Sequence, residues 1–344
     1  MDCARRWTNG GWRFRNNGMT KRTLGRGGFE IGEVGLGCWQ FGGDFGPMKD
    51  ATAFTILEAA VASGTDFFDT ADVYGAGRSE ELIGRFLKTC ETPVTVATKV
   101  GREAILYPDK YSREIVRDSL LRSIKRLDVD ALDLVQLHCV PPAVLRDGEI
   151  FDWLRDFKTE GIIKHFGASV ESVEEGLVCL KQEGLLSLQV IFNPFRLKLA
   201  TELLPQAQEK GVGVIVRLPL ASGLLSGKFS KATTFAETDH RNYNRDGQAF
   251  NVGETFAGLP FEKGVELADA LKEFVPEGMT MAQMTLRWIL DHDAVSVIIP
   301  GASSPAQATG NAAAAASYRL PAELHVRIAE FYQENVAGHI RGPY

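Results

Sequence analysis

The sequence predicts one α/β domain, a (β/α)8 TIM barrel with an N-terminal β-hairpin, a long loop after strand seven and a C-terminal helix. Three observations predict it. Eight short apolar or β-branched runs alternate with eight helical patterns, without a break in composition. No G-x-G-x-x-G follows a strand and opens a helix, which argues against a doubly wound sheet. The runs near 66–69, 94–99 and 132–138 end in Asp69, Lys99 and His138, as in a barrel that does its chemistry at the carboxyl rim of its strands.

Residues 1–20 are expected to lie outside the domain, which takes 21–344. They carry Arg5, Arg6, Arg13 and Arg15 against one acid, Asp2. Such a start suits a transit peptide. Asn9-Gly10-Gly11 and Asn16-Asn17-Gly18 leave no amphipathic helix, which favours a non-native extension or translation beginning at Met19. Gly25-Arg26-Gly27-Gly28 has the wrong spacing for a dinucleotide loop and reads as a turn. Phe29-Glu30-Ile31 and Val34-Gly35-Leu36 read as a hairpin over the barrel floor, then the first strand.

The strands are expected near 34–37, 66–69, 94–98, 133–137, 163–168, 188–191, 213–217 and 295–299. The alternating helices are expected near 51–63, 79–88, 113–127, 149–160, 171–183, 201–210, 262–275 and 305–316. Ser79, followed by Glu80 and Glu81, supplies a capping hydroxyl and a first turn rich in acids. Residues 228–261 are long, polar and glycine-rich, and a loop of that length is usually functional. A helix at 280–291 stands outside the repeat, and another runs from Pro321 to about Asn335.

Composition narrows the function. The chain has 344 residues, 44% of them hydrophobic, enough for a large core. A net charge of −6 gives no basic face for nucleic acid. No apolar run approaches the ~20 residues that span a bilayer. Five scattered cysteines without a C-x-x-C suit reduced thiols in the cytoplasm, rather than a disulfide framework or a zinc site. No metal is expected: Cys139 adjoins His138, but the sequence places no third ligand. It sets no oligomeric state.

Asp69 and Tyr74 after one strand, Lys99 at the end of the next and His138 at the end of the third form one constellation. Singly, each has a bland reading: a packed rim tyrosine, a solvated lysine, a satisfied core histidine. Together and in this order they resemble the aldo-keto reductase superfamily, from about Lys21 to the C-terminal region. The resemblance implies an NAD(P)-dependent oxidoreductase that reduces an aldehyde or ketone, or oxidises the matching alcohol. It implies that Tyr74 is the general acid, that Lys99 lowers its pKa, that Asp69 holds Lys99 and that His138 orients the substrate carbonyl. A phenol near pKa ~10 is a weak acid at neutral pH, and a neighbouring cation lowers that value. Asp72 lies nearer Tyr74 in sequence and is read as pinning the loop.

None of these side chains can supply a hydride, so NADP(H) or NAD(H) is implied. The resemblance places it against Gly37, Cys38 and Trp39, with Asp69, and against Ser169 and Gln189 as carboxamide binders. Val170 stands where many relatives have Asn. Arg217, Leu218, Pro219, Leu220, Ser222, Gly223 and Lys228 match the loop that wraps the pyrophosphate. Arg217 replaces a frequent aromatic, so its role stays open between stacking and reaching the phosphates. Gly301, Ser303, Gln307 and Asn311 match the adenosine end. They carry no charge where NADP-selective relatives usually place Lys or Arg, which implies weak discrimination between the two cofactors.

Trp39, Tyr74, His138 and Cys139 are the implied substrate contacts, with Val140 and residues 239–250 as further walls. That loop could bind a sugar-like or acidic substrate or only cap the barrel. A second function class stays open, a cofactor-binding redox sensor or channel auxiliary subunit, as in some relatives. A metal-dependent barrel hydrolase is the third; the absence of clustered His and Asp at strand ends speaks against it.

Overall fold

The computed structural model describes residues 19–344. The expectation for the N-terminal extension therefore falls outside the described residues, except at Met19 and Thr20. Glu33 N donates to Thr20 O at 3.0 Å, and Met19 packs on Gly32 and Gly64.

The first two strands, β1 (Lys21–Thr23) and β2 (Glu30–Gly32), form an antiparallel hairpin. Residues 25–28 turn between them, as expected. The hairpin pairs Lys21–Thr23 with Glu30–Gly32, and the first barrel strand follows it at Leu36–Gly37, as expected.

Eight parallel strands follow in sequence order: β3 (Leu36–Gly37), β4 (Phe67–Asp69), β5 (Thr95–Val100), β6 (Leu132–His138), β7 (Ile163–Ser169), β8 (Leu185–Ile191), β9 (Gly213–Arg217) and β10 (Val295–Ile298). Bridges from Val34 to Ile298 and from Gly37 to Gly301 bring the last strand back to the first and close the barrel.

The connecting helices are α1 (Asp50–Ala62), α2 (Arg78–Leu87), α3 (Arg113–Leu127), α4 (Pro142–Asp147), α5 (Glu149–Thr159), α6 (Val173–Cys179) and α7 (Leu203–Lys210). Beyond β9 come the short α8 (His240–Tyr243), then α9 (Phe261–Leu271), α10 (Met281–Leu290), α11 (Pro305–Ala312) and α12 (Ala322–Phe331).

Two expectations change. Ser79 does not cap α2: Gly77, at φ +96°, is the N-cap. The buried Ser79 hydroxyl instead donates to Cys38 O at 2.9 Å and pairs with Thr70 Oγ1 at 2.8 Å, tying the first rim loop to the second. The helix that packs on β10 is α10, whereas α9 packs on the loop after β9. So 280–291 belongs to the barrel ring and 262–275 is the insertion, the reverse of the pattern expected. Both stretches are amphipathic, so periodicity alone cannot say which one faces a strand.

The barrel interior is a separate apolar layer of Phe67, Ala97, Leu134, Leu186, Ile215 and Val297, sealed below by Leu24 and Ile31 of the hairpin region. Arg22 fixes that seal, donating to Val295 O and Leu290 O at 2.7 Å and pairing with Glu33. Neighbouring positions such as Phe68, Val96 and Val135 face outward into the larger core under the helices. Among the described residues no helix is long and apolar enough to cross a membrane.

Candidate active site

The site follows from strand alternation. Successive side chains on a strand point to opposite faces. Two residues beyond the interior positions Phe67, Ala97, Leu134 and Ile215 stand Asp69, Lys99, Gln136 and Arg217, and two beyond Gln136 stands His138. Polar side chains thus form the layer above the apolar plug. They bond one another: Lys99 Nζ donates to Asp69 Oδ1 at 2.5 Å, while Gln136 and Gln189 donate to Asp69 Oδ2 at 3.1 and 2.6 Å.

Tyr74 enters this layer from the loop between β4 and α2. The loop crosses the first rim loop at two glycines: a Cβ on Gly42 would stand 2.6 Å from Gly75 N, and one on Gly75 would stand 2.7 Å from Gly42 O. Only a pair without side chains allows that approach. It brings the Tyr74 hydroxyl to 3.2 Å from Lys99 Nζ, which also donates to Thr70 O at 2.7 Å. His138 stands edge-on to the Tyr74 ring, centroids 5.8 Å apart, and Trp39 stacks on that ring at 5.9 Å.

The electrostatics refine one expectation. Burial is the largest influence on Tyr74 and pushes its pKa up to about 12; Lys99 opposes this without reversing it. Burial also works against the Lys99 ammonium, but Asp69 and Tyr74 outweigh it and hold that pKa above the usual value. His138 is held well below the usual range by burial, then by the charges of Arg102, Lys99 and Arg217. It is therefore neutral. Its buried Nδ1 has no partner among the described residues, which suits the tautomer that carries its proton on Nε2. Asp72 accepts from Val73 N at 2.8 Å within the Tyr74 loop.

A cavity of about 900 Å³ opens above this layer. Tyr74, His138, Gln189 and Arg217 form its floor. Gly37, Cys38 and Trp39 line one side, Leu218, Pro219, Leu220, Ser222, Gly223 and Lys228 another, and Gly301, Ser303, Gln307 and Asn311 the far end. Asp69 reaches the cavity, while Lys99 sits behind Tyr74. The structure therefore brings together most of the residues singled out from the sequence.

Ser169 and Cys139 are not on the cavity wall; their Oγ and Sγ face each other at 3.6 Å beneath it. Val140 packs on Gly101. The Ser222 hydroxyl is engaged in the loop, donating to Glu254 O at 3.2 Å and accepting from Phe256 N at 3.1 Å. Gln307 Oε1 accepts from Ser303 N at 2.6 Å, and Asn311 donates to Gly301 O at 3.2 Å. Arg217 turns sideways, towards Cys139 and Val170.

Sequence reasoning missed a charged wall. Arg102 donates to Glu171 at 2.8 Å and to Glu254 at 2.7 Å, and Arg217 stands 3.6 Å from Glu254. Burial would raise the Glu254 pKa, but Arg102 and Arg217 hold it down at about 2; burial and Glu254 push Glu171 up to about 7. Arg102, three residues beyond Lys99, carried a weak positional signal. Glu254 lay within the long 228–261 loop read as functional, but nothing singled it out there.

The lid over the cavity is fastened at Asp44. Trp39 Nε1 donates to its Oδ2 at 2.9 Å, Tyr243 to its Oδ1 at 2.8 Å, and His240 N to its backbone oxygen at 2.8 Å. The loop of 239–250 is thus held directly above Trp39.

The profile described as "Aldo/keto reductase family" matches residues 33–333. The chain is 29% identical over 314 residues to "Uncharacterized oxidoreductase YqkF" of Bacillus subtilis (strain 168), covering 89% of this chain and 94% of that protein. It is 30% identical over 310 residues to "Probable voltage-gated potassium channel subunit beta" of Oryza sativa subsp. japonica, covering 85% and 90%. Among solved structures, the glycerol dehydrogenase AKR11B4 from Gluconobacter oxydans superposes with a TM-score of 0.73 at 25% identity, covering 94% of this chain and 97% of that one.

Proposed function

The chain belongs to the aldo/keto reductase family, an oxidoreductase family, and from that premise we propose that it is an NAD(P)-dependent enzyme. It would reduce an aldehyde or ketone, or oxidise the matching alcohol, with Tyr74 as general acid and base. One observation carries this reading: the Asp69–Lys99–Tyr74 relay, with bonds of 2.5 and 3.2 Å, ends beside a neutral His138 on the floor of a large cavity.

The cavity residues fit a dinucleotide. Gln189 Oε1 is buried without a partner among the described residues, an acceptor suited to a carboxamide NH2. Positive φ at Leu218, Ala221 and Ser222 curls the chain after β9 into a turn of the kind that receives phosphates, with Lys228 beside it. A nicotinamide bound above Gln189 would supply or accept the hydride.

The chain's own side chains handle the proton and the carbonyl. His138 would donate from Nε2 to the carbonyl oxygen and fix its direction. Tyr74 would donate its phenolic proton to that oxygen as negative charge develops there. Lys99 would stabilise the resulting phenolate, and Asp69 would hold Lys99 charged and in place. With a phenol held at about 12, the cation beside it matters for catalysis because it favours the phenolate against burial.

At the adenosine end, the start of α11 satisfies its own amides: Ser304 Oγ accepts from Gln307 N at 3.3 Å, and Gln307 accepts from Ser303 N. Residues 301–311 contribute no cation to pair with a 2′-phosphate. Comparable use of NADPH and NADH follows.

A second reading, a cofactor-binding auxiliary subunit, is favoured by the relative from Oryza sativa subsp. japonica. One experiment separates the two: titrate wild type and Tyr74→Phe with NADPH and NADH, then assay turnover of small aldehydes. We expect similar affinity for both cofactors in both proteins, and turnover only in wild type. Turnover retained by Tyr74→Phe sinks the assignment. Cofactor binding without turnover in wild type favours the second reading.

A further inference from the structure

We propose that Arg341 is a positioning residue for the substrate side of the cavity: from behind the long loop after β9 it clamps both ends of residues 245–259, and so sets where Phe250, Asn251 and Glu254 stand. Its effect on turnover rests on the carbonyl-reductase reading above; the clamp itself does not.

The cavity lining ends, in sequence, at Asn311, so Arg341 acts from outside it. The guanidinium uses every nitrogen on the loop. Nε donates to Gly258 O at 3.0 Å, Nη2 to Leu259 O at 3.1 Å and Arg245 O at 3.3 Å, and Nη1 to Asp246 Oδ1 at 2.7 Å. The backbone N of Arg341 also donates to Gly258 O, at 3.1 Å. One side chain thereby pins 245–246 to 258–259. Between those points runs the segment that carries Ala249, Phe250, Asn251 and Glu254 to the cavity wall.

The residues after Arg341 press on the middle of that segment. Gly342, at φ +79°, lies so close to it that a Cβ there would stand 2.6 Å from Val252 Cγ1. Pro343 O accepts from Arg196 Nη2 at 2.6 Å, and the Arg196 guanidinium lies over the Tyr344 ring, 4.4 Å from its centroid. Arg196 in turn donates to Ala257 O at 3.3 Å and to Glu171 O at 3.4 Å.

The backbone shows why a clamp is needed. Phe256 and Ala257 are left-handed, at φ +53° and +57°. Residues with a Cβ keep that conformation only where their surroundings hold them in it. From the cavity side the hold stops short of this pair's carbonyls: Asn244 Oδ1 accepts from Ala249 N and Phe250 N, Ser222 accepts from Phe256 N, and Arg102 takes the Glu254 carboxylate. The carbonyls of Ala257, Gly258 and Leu259 are taken from outside, by Arg196 and Arg341.

Loosening the clamp acts on substrate affinity rather than on the chemistry. The bonds of Asp69, Lys99 and Tyr74 run to one another and to Thr70, Gln136 and Gln189, away from 245–259. A wall that occupies its binding position only part of the time weakens apparent affinity in proportion.

The test compares wild type, Arg341→Ala, Arg341→Lys and Gly342→Ala by amide hydrogen exchange and by steady-state reduction of benzaldehyde at saturating NADPH. In Arg341→Ala we expect faster exchange in peptides spanning 245–259, with β5 and β6 exchanging as in wild type. Its KM should rise about tenfold with kcat within about twofold, the effect of having to order one or two loose side chains on binding. Arg341→Lys keeps the charge without the fork and should lie between. Gly342→Ala wedges the segment off Val252 and should shift exchange and KM in the same direction, which keeps the proposal testable if Arg341→Ala does not fold. Exchange that rises equally in β5 and β6 overturns the proposal. So does an unchanged KM beside a lowered melting temperature, since Arg341 would then only tie down its own segment. Absence of benzaldehyde turnover in wild type counts against the carbonyl-reductase reading alone, and the exchange pattern then decides the clamp.

Discussion

Replacing Lys99 with Met removes the cation that touches the Tyr74 hydroxyl, at 3.2 Å. Two unit charges at that separation interact by about 5 kcal/mol at an effective dielectric of ~20. That figure is a ceiling, because Asp69, 2.5 Å from the ammonium, cancels part of the field. A positioned general acid or base typically contributes ~10²–10⁴ in rate, so kcat for aldehyde reduction should fall within that range. KM should change much less, since Lys99 lies behind Tyr74 and off the cavity wall. The assay follows the loss of reduced-nicotinamide absorbance at saturating cofactor.

Stability must be followed beside activity. Breaking a buried ion pair by removing one partner costs ~3–5 kcal/mol, and Lys99→Met leaves the Asp69 carboxylate with only the Gln136 and Gln189 amides. The double variant Asp69→Asn/Lys99→Met removes the stranded charge. Its urea midpoint should recover towards wild type while kcat stays low. A single variant with kcat within about threefold of wild type, well short of the ~10² floor for such a group, would refute the relay. Recovery of kcat in the double variant would refute it too.

Gly42→Ala would place a Cβ 2.6 Å from Gly75 N and 2.8 Å from Tyr74 C, backbone atoms that can yield only by moving the Tyr74 loop. We expect ~1–3 kcal/mol of destabilisation from overpacking and a kcat loss of up to ~10², the effect of a ~1 Å misplacement, measured by thermal melts and steady-state rates. Glu254→Gln leaves two buried guanidiniums short of their acid and should cost ~3–5 kcal/mol at neutral pH. The Glu254 pKa is depressed to about 2, against ~4.3 in the unfolded chain. Its contribution is therefore present above ~4.3 and lost as pH falls towards 2. The urea midpoint of wild type should drop more steeply below pH ~4 than that of Glu254→Gln; equal slopes would mean that Glu254 is not held ionised by the two arginines.

What the sequence made legible was what lay on single strands. Asp69, Lys99 and His138 each close a short apolar or β-branched run, and the period of two fixes their faces without reference to the rest of the chain. The terminal helix after Pro321 was equally local. What was not legible depended on partners far away in sequence. Ser79 reads as a cap until Cys38 O, on another rim loop, takes its hydroxyl. The effect of Lys99 on Tyr74 could be given a sign from charge alone, but the net pKa is set by how deeply the fold buries the phenol. Glu254 meets Arg102 across 152 residues, from a loop with no periodicity of its own.

The interior of the barrel shows why the chemistry was nonetheless readable. On β4, β5, β6 and β9 the same inward register gives an apolar residue to the plug and, two residues later, a polar one to the layer above it. Packing and catalysis are thereby written on one face of each strand. A slip of one residue would turn Asp69 and Lys99 into the apolar core under the helices and bring Phe68 and Val96 inward. The bonds among Asp69, Lys99, Gln136 and Gln189 reinforce that register from above, and the hairpin reinforces it from below through Arg22. The residues that hold Tyr74's cation in place are thus also those that keep the barrel strands in step.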